Sequence, residues 1–268
     1  MPALTRKIRY VMWALNGYIG KTISLDIPQK VTVLITYYHP ARMEHIEPQI
    51  RNILKCSFVD KLIISNHNPD VRIEDRIKIK DRRLVFINQN VKRGCGYRWL
   101  IANELDPEYL IVVDDDILLF PGQLAKLFKH LVNEPEIPHG MAGFRYLENG
   151  ELEFHEKENR HVDFLCEIYA VTRNHLRRYM ELKSLVAKSD GLIEMIDSAA
   201  DFMVISQTGS HDPKIHYVGR PFKSSTFNQA GVAVHKEENF GDSLWEVGRA
   251  LNDVRIQQNG QTIDIVPV

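Results

Sequence analysis

The sequence has few cysteines, and the three that it has, Cys56, Cys95 and Cys166, are scattered along the chain. No C-x-x-C pair occurs and the number is odd, so the pattern disfavours both a disulfide framework and a structural zinc site. N-x-[ST] glycosylation sequons are also missing. These absences favour a reducing compartment. We therefore expect a cytoplasmic protein, with a Golgi or secretory lumen as the alternative if a membrane stem has been removed.

Long apolar runs and a net charge are missing as well. The most apolar stretch near the start, residues 10–19, contains Asn16 and Gly17 and is shorter than the roughly 20 residues that span a bilayer. Lysine and arginine number 34 against 35 aspartates and glutamates, which gives a formal net charge of −1. No overall field attracts nucleic acid or an anionic surface. We expect no nucleic-acid partner and no membrane span, and the oligomeric state is left open.

What is present is an ordinary globular composition, with 268 residues of which 44% are hydrophobic and 26% charged. This length suits one α/β domain with decorated ends. We expect an N-terminal extension over 1–30 and a single domain over 31–268. Within that domain we expect a nucleotide-binding half over 31–116 and an acceptor-side half over 117–268.

Short apolar runs in the first half predict the strands of a parallel sheet. They cover 31–37, 61–65, 84–88 and 109–113, and a segment with helical spacing, 41–56, follows the first run. The runs show little alternation of apolar and polar residues, which is typical of strands buried on both faces between helices. The predicted fold class is therefore α/β, with a Rossmann-like, mostly parallel central sheet flanked by helices.

The second half has a different pattern. It predicts a helix from Pro121, a hairpin turn at Asn149-Gly150, a strand over 162–171 and helices over 173–187 and 191–208. Residues 221–242 are rich in Ser, Asn, Gln and Gly and have no sustained periodicity. Because this segment is longer than an ordinary connection, we expect either disorder or a functional lid.

Three consecutive carboxylates, Asp114, Asp115 and Asp116, come directly after the apolar strand 109–113. We refer to them as the aspartate run. Ligands of open α/β sheets bind just beyond the carboxyl ends of the strands, so the run is placed where a nucleotide would lie. A hard divalent cation would relieve the mutual repulsion of these acids. The alternative is a solvated turn with no ligand.

A basic, glycine-containing segment, NVKRGCGYR, precedes a predicted helix at residues 90–98. Its glycines allow close backbone approach, and Lys92, Arg93 and Arg98 could meet phosphate oxygens. The spacing matches neither the Rossmann nor the P-loop fingerprint. The alternative is a turn whose basic side chains are merely solvated.

Acidic residues also recur at helical spacing in the second half. Glu194, Asp197 and Asp201 are separated by three and four residues, which would place them on one helix face. One of them could deprotonate an acceptor hydroxyl, and Asp197 is the preferred candidate. His235 could complete a metal site from the 221–242 segment, although a surface histidine is the more frequent outcome.

Three motifs of the chain are VTVLITYYHPARMEHI, VVDDDILL and IDSAADFMVISQTG. They resemble motifs of the GT-A nucleotide-sugar transferases, most closely the exostosin-like glycosyltransferase family 64, with family 2 as the second choice. The resemblance implies transfer of a sugar from a UDP- or GDP-sugar with Mn²⁺ or Mg²⁺ as cofactor. It implies that Asp116 ligates the metal, that Asp114 approaches the ribose, and that Arg98 lies along the nucleotide. It also implies catalysis by Asp197 and a diphosphate contact by Arg249.

Further nucleotide contacts are predicted at the ends of the first strands, in the basic segment and in the aspartate run. They are Tyr37, Arg42, Asn66, Lys92 and Asp115. The acceptor would be a hydroxyl of a glycan or another molecule. Two alternatives remain at this point. One is a sugar-phosphate nucleotidyltransferase, which would normally carry a Gly-rich signature near the first strand, and the other is a non-catalytic sugar-nucleotide-binding module.

Overall fold

A computed structural model describes residues 3–147, 151–188, 190–236 and 240–259. The α-helices are α1 (Ala3–Ile19), α2 (Ile46–Leu54), α3 (Tyr97–Leu105), α4 (Pro121–Asn133), α5 (Arg173–Val186), α6 (Asp190–Met195), α7 (Asp201–Ser206) and α8 (Phe240–Asn259). A π-helical turn, Ile196–Ala200, joins α6 to α7, and short 3-10 helices cover Pro40–His45, Ile73–Arg76 and Val234–Lys236.

The strands are β1 (Val31–Tyr37), β2 (Val59–Asn66), β3 (Leu84–Asn88), β4 (Tyr109–Asp114), β5 (Ile117–Leu118), β6 (His139–Gly140), β7 (Ala142–Tyr146), β8 (Leu152–Glu156), β9 (Arg160–His161), β10 (Phe164–Cys166), β11 (Ile168–Thr172), β12 (Lys214–Ile215) and β13 (Phe222–Lys223). The central sheet has the order β3-β2-β1-β4-β11-β6-β12-β9. The pairs among β1 to β4 are parallel, and β11 runs antiparallel to β4.

Two hydrophobic cores cover the two faces of this sheet. Alternate residues of β1 divide between them, since Val33 and Ile35 join one core and Leu34 joins the other. Strand β4 divides in the same way. The prediction of a mostly parallel sheet buried on both faces is therefore confirmed, and so is the helix after the first strand, which begins as a 3-10 turn.

Two predicted elements of the second half are wrong in detail. The strand expected over 162–171 is broken into β10 and β11 at Glu167, whose φ of 70° is left-handed. The helix expected over 191–208 is interrupted by the π-helical turn. The predicted turn at Asn149-Gly150 lies outside the described residues, although the strands on either side of it, β7 and β8, pair antiparallel.

The segment after residue 220 packs along the same edge as the aspartate run. Strand β13 pairs antiparallel with β5, and the Ser224 backbone N–H donates to the Asp116 carbonyl oxygen at 2.8 Å. Phe222 and Ser224 are buried. The described part of the 221–242 segment, for which the sequence predicts either disorder or a lid, therefore has defined contacts beside β5.

Helix α1 lies against the domain through one face. The Trp13 side chain is fully buried, and its indole Nε1 donates to the Leu119 carbonyl oxygen at 2.9 Å. The Tyr10 ring contacts the Phe222 ring, with 5.8 Å between centroids. Within the described residues, no helix is long and apolar enough to cross a membrane.

Candidate active site

A cavity of about 800 Å³ opens at the carboxyl ends of β1 and β4. Its lining includes the whole aspartate run, because β4 ends at Asp114 and the chain turns there before β5. Charged residues from distant parts of the chain complete the wall, namely Arg42, Lys92, Arg93, Arg98, Glu167, Asp201 and Lys223. The parallel sheet thus places the predicted carboxylates at the edge where α/β proteins bind their ligands.

Arg98 joins the first of these carboxylates to the second half of the chain. Its side chain is 4% exposed, its Nη1 lies 2.5 Å from Asp114 Oδ1 and its Nε lies 2.8 Å from Asp201 Oδ2. Burial opposes the charge on Arg98, but the carboxylates of Asp201 and Asp114 raise its pKa well above the usual value. Trp99 Nε1 also donates to Asp201 Oδ2, at 2.6 Å. Asp201 is therefore a fully engaged, buried partner of α3.

Arg42 pairs with the other two aspartates. Its Nη1 lies 2.6 Å from Asp115 Oδ1, and its Nη2 lies 2.8 Å from Asp116 Oδ2. Burial raises the pKa of Asp115 to about 6 although Arg42 opposes the shift. Burial, with the negative charge of Asp115, raises the pKa of Asp116 well above its usual value. The single guanidinium of Arg42 therefore does not fully compensate the charge of these two buried carboxylates.

Glu167 lies in the cavity wall and was missed by the sequence analysis. Burial raises its pKa to about 7, with Lys223 opposing the shift through an ion pair. The Glu167 Oε2 atom is buried with no hydrogen-bond partner among the described residues, and the backbone carbonyl accepts from the Asp114 N–H at 3.0 Å. The available signal was an acid in the middle of the apolar run 162–171.

The glycines of the basic segment have a different use from the one predicted. A Cβ on Gly94 would overlap the Asp197 carbonyl oxygen, and one on Gly96 would lie 2.7 Å from the Ile196 carbonyl oxygen. The Gly96 N–H donates to the Asp197 carbonyl oxygen at 2.9 Å. The close backbone approach is therefore made by the π-helical turn of the same chain.

The prediction that Glu194, Asp197 and Asp201 share one helix face is wrong, because the π-helical turn changes the register between them. Glu194 is exposed and Asp201 is buried against Arg98. Asp197 forms an ion pair with Lys183 of α5 and is not part of the cavity lining. The structure therefore places Asp197 beside the site and Asp201 in it.

The other predicted nucleotide contacts divide into two groups. Tyr37, Arg42, Lys92 and Arg98 line the cavity, whereas Asn66 does not. The Tyr37 hydroxyl is already engaged, since it donates to Gln49 Oε1 at 2.5 Å. Asn66 Nδ2 donates to the Val71 carbonyl oxygen at 2.6 Å, which holds the turn after β2. His67, next to Asn66, reaches the cavity in its place.

The two predicted residues nearest the end of the chain, His235 and Arg249, lie in different environments. His235 lines the cavity, where its Nε2 lies 3.0 Å from Asn228 Oδ1 and its ring lies 5.6 Å from that of Phe227. Arg249 lies on the exposed side of α8, stacked on Trp245 and paired with Glu246 at 2.7 Å. It is not part of the cavity lining.

The charges of the lining bear on whether a cation fits. The lining has five carboxylates (Asp114, Asp115, Asp116, Glu167 and Asp201) and five cations (Arg42, Lys92, Arg93, Arg98 and Lys223), so its formal charges balance. Three of the cations, Arg42, Arg98 and Lys223, are paired with these carboxylates. Within the described residues, no group of three or more His, Cys, Asp or Glu side chains is arranged to hold a metal ion. Mg²⁺-type sites commonly use one or two carboxylates plus substrate phosphates. The residues therefore fit a divalent cation that arrives with a diphosphate.

No model of a known protein family matches this chain. An uncharacterized glycosyltransferase of Methanocaldococcus jannaschii is 31% identical over 120 residues, which cover 42% of this chain and 40% of that relative. The chain thus spans less than half the length of this curated relative.

Solved structures resemble the fold more broadly. A crystal structure of GalNAc-T7 with UDP, GalNAc and Mn²⁺ matches 88% of this chain and 52% of that protein, with a TM-score of 0.55 and 9% identity. CMP:2-keto-3-deoxy-manno-octonic acid synthetase with CTP matches 57% of this chain and 78% of that one, with 11% identity and a TM-score of 0.41. The chain has an α/β fold of the GT-A type, as predicted.

Proposed function

We propose that this protein is a metal-dependent glycosyltransferase that moves a sugar from a UDP- or GDP-sugar to a hydroxyl of a glycan or another acceptor. The observation that carries the proposal is the placement of the aspartate run in a cavity of about 800 Å³ at the carboxyl edge of a GT-A sheet. The curated relative named a glycosyltransferase, and GalNAc-T7 with its UDP and Mn²⁺, support the same reaction class. Closer kinship with family 64 is part of the proposal.

Asp114 and Asp116 would hold the cation, Mn²⁺ or Mg²⁺, together with the oxygens of the donor diphosphate. The cation would neutralise charge on the leaving diphosphate. Asp116 is paired with Arg42, so that pair must open when the donor binds. Lys92 and Arg93 are exposed at the cavity and are suited to meet phosphate oxygens. His235, which also lines the cavity, is a further candidate ligand.

The segment 221–236 supplies one wall of the cavity through Lys223, Phe227 and His235. We propose that it closes over the donor and excludes water from the reactive sugar nucleotide. Nucleotide with Mn²⁺ should then slow cleavage of this segment in limited proteolysis. An unchanged cleavage rate would remove its role as a lid.

The decisive experiment incubates the protein with UDP- and GDP-sugars and Mn²⁺ and measures release of free nucleoside diphosphate. Asp116→Ala should abolish turnover, and EDTA should weaken binding of UDP or GDP in calorimetry. Asp60→Ala, an exposed aspartate on β2, is the matched control. Equal nucleotide affinity in EDTA and Mn²⁺, or full turnover by Asp116→Ala, would reject the proposed metal role.

Two residues are candidates for the catalytic carboxylate, Asp197 and Glu167. Asp197 is implied by the family resemblance, and Glu167 lies in the cavity wall. Asp197→Asn and Glu167→Gln each remove the charge of the side chain while keeping its size. Loss of the acid-base group should lower turnover by at least about a hundredfold while nucleotide binding survives. Normal turnover by Asp197→Asn, with an intact circular dichroism spectrum, would remove Asp197 from the reaction.

A further inference from the structure

The outward face of α1 is a continuous apolar stripe. Its six large side chains have the following exposed fractions: Ile8 52%, Val11 52%, Met12 62%, Leu15 50%, Tyr18 53% and Ile19 81%. Their spacing of three and four residues places them on one side of the helix. We call this set the α1 stripe. Contiguous apolar surface of this kind marks an interaction site more often than scattered single residues do.

The opposite face holds α1 firmly to the domain, so the stripe is not free to turn inward. Trp13 is fully buried there, and its carbonyl oxygen accepts from Asn52 Nδ2 at 2.9 Å. Gly17 packs so closely that an added Cβ would lie 2.9 Å from Arg51 Cβ. Both faces of the helix are therefore apolar, and the inner one is already occupied by the protein.

The charged residues of α1 and of the turn after it have one sign. The first 25 residues contain Arg6, Lys7, Arg9 and Lys21 and no acidic residue, in a chain whose net charge is −1. Two bases of the neighbouring α2 region reach Tyr18, and one of them, Arg51, is also paired with Glu47 at 2.5 Å. The Arg51 guanidinium lies 4.5 Å from the Tyr18 ring centroid, and Lys55 Nζ donates to the Tyr18 carbonyl oxygen at 3.4 Å. Lys7 and Lys21 are exposed, so α1 and the turn after it bring only basic charge to the stripe.

This charge pattern decides between two occupants of the stripe. A second copy of the chain would bring basic charge against basic charge, because the segment has no acid to offer. An anionic lipid surface supplies both an apolar boundary and negative headgroups. We propose that α1 is an interfacial helix that docks this protein onto an anionic bilayer, with the α1 stripe inserted at the headgroup boundary.

The attachment of α1 relates docking to the cavity. Tyr10 contacts Phe222 of β13, and its hydroxyl lies 3.0 Å from His45 Nδ1 in the 3-10 helix that also carries Arg42. Trp13 is bonded to the carbonyl of Leu119, just after β5. Docking through α1 therefore holds elements of the cavity wall about one helix diameter, roughly 10 Å, from the headgroups.

The test is co-sedimentation of the full chain with vesicles of phosphatidylcholine that contain about 30% phosphatidylserine as the anionic lipid. Wild-type protein should bind these vesicles and bind much less to pure phosphatidylcholine or at high salt, because screening weakens surface attraction. The double variant Met12→Glu, Leu15→Glu should lose at least about tenfold in affinity. Leu185→Glu, at another exposed leucine, should bind as wild type does.

Two results would overturn the proposal. One is failure of the wild-type protein to bind anionic vesicles, and the other is unchanged binding by the double variant. A wild-type dimer that the double variant converts to monomer would assign the stripe to a second copy instead. If the double variant does not fold, Lys7→Glu with Lys21→Glu leaves the apolar residues in place and should still lower binding by at least about tenfold.

Discussion

The two halves of the chain build the cavity in different ways. The first half contributes through strand ends, since Asp115 follows β4 and Arg42 follows β1. These two residues meet because their strands are parallel neighbours. The second half contributes Asp201, Glu167 and Lys223 from a short helix, a left-handed residue and a two-residue strand. In the first half, a regular sheet positions the cavity residues. In the second half, irregular backbone does so.

The largest effect is expected where the two halves are joined by Arg98. Arg98→Met leaves Asp201, which is 1% exposed at its side chain, without its ionic partner. Removing one member of a buried pair typically costs about 3–5 kcal/mol of unfolding free energy. Urea unfolding should show this loss, whereas Arg249→Met, an exposed arginine paired with Glu246, should stay within about 0.5 kcal/mol of wild type. A loss at Arg98 below about 1 kcal/mol would show that the halves are held by other contacts.

A smaller effect is expected where the basic segment meets the π-helical turn. Gly94→Ala places a methyl group against the Asp197 backbone, which cannot yield as a flexible side chain would. Overpacking of this kind costs about 1–3 kcal/mol. Gly122→Ala is the matched control, because its Cβ would meet nothing within 4 Å. Equal thermal stability of the two variants would mean that the turn shifts freely.

A substitution of Arg42 tests whether its guanidinium takes the place of the proposed metal cation beside Asp115 and Asp116. Arg42→Gln frees the carboxylates of Asp115 and Asp116, so nucleotide-free protein should bind Mn²⁺ about tenfold more tightly, or about 1.4 kcal/mol. Calorimetry with MnCl₂ measures this directly. Arg249→Gln should leave the affinity unchanged. Weaker Mn²⁺ binding by Arg42→Gln would show that the guanidinium and the cation do not compete.

The smallest effect concerns pH, for which two buried histidines and the acids of the cavity have opposite signs. His216 and His139 of the second half are joined by a 2.9 Å hydrogen bond, and burial lowers their pKa values to about 3 and about 4. Protons bind the unfolded histidines first, so this contribution to stability falls as pH drops below about 6.5. Asp115 and Glu167, whose pKa values are raised, instead gain protons in the folded state and oppose the loss.

The comparison between variants isolates the histidine contribution. Between about pH 7 and 5.5, His216→Gln should lose about 1 kcal/mol less unfolding free energy than wild type does. Replacing the exposed His211 should leave the pH dependence as it is. Identical pH profiles for wild type and His216→Gln, measured by urea midpoints, would show that His216 does not titrate differently on folding.

The sequence predicted the parts of this site that depend on local pattern. Strands β1 to β4 are marked by apolar runs, and the aspartate run follows directly from the end of one of them. The π-helical turn and the break at Glu167 were not predicted, because both arise from packing between distant segments, as at Gly94 and Asp197. The 3.6-residue spacing therefore misassigned the direction of Asp201. The sequence predicts Arg42 and Arg98 only as nucleotide contacts, whereas the structure pairs them with the predicted carboxylates.

The left-handed backbone at Glu167 has a consequence for how this position can vary. A residue with a side chain adopts φ near 70° at a cost of order 1 kcal/mol or more, whereas glycine adopts it freely. Selection for stability alone would therefore favour glycine there. Replacing Glu167 with glycine should therefore relax the backbone while it removes a carboxyl group from the cavity wall, so the variant would gain thermal stability at the cost of that charge.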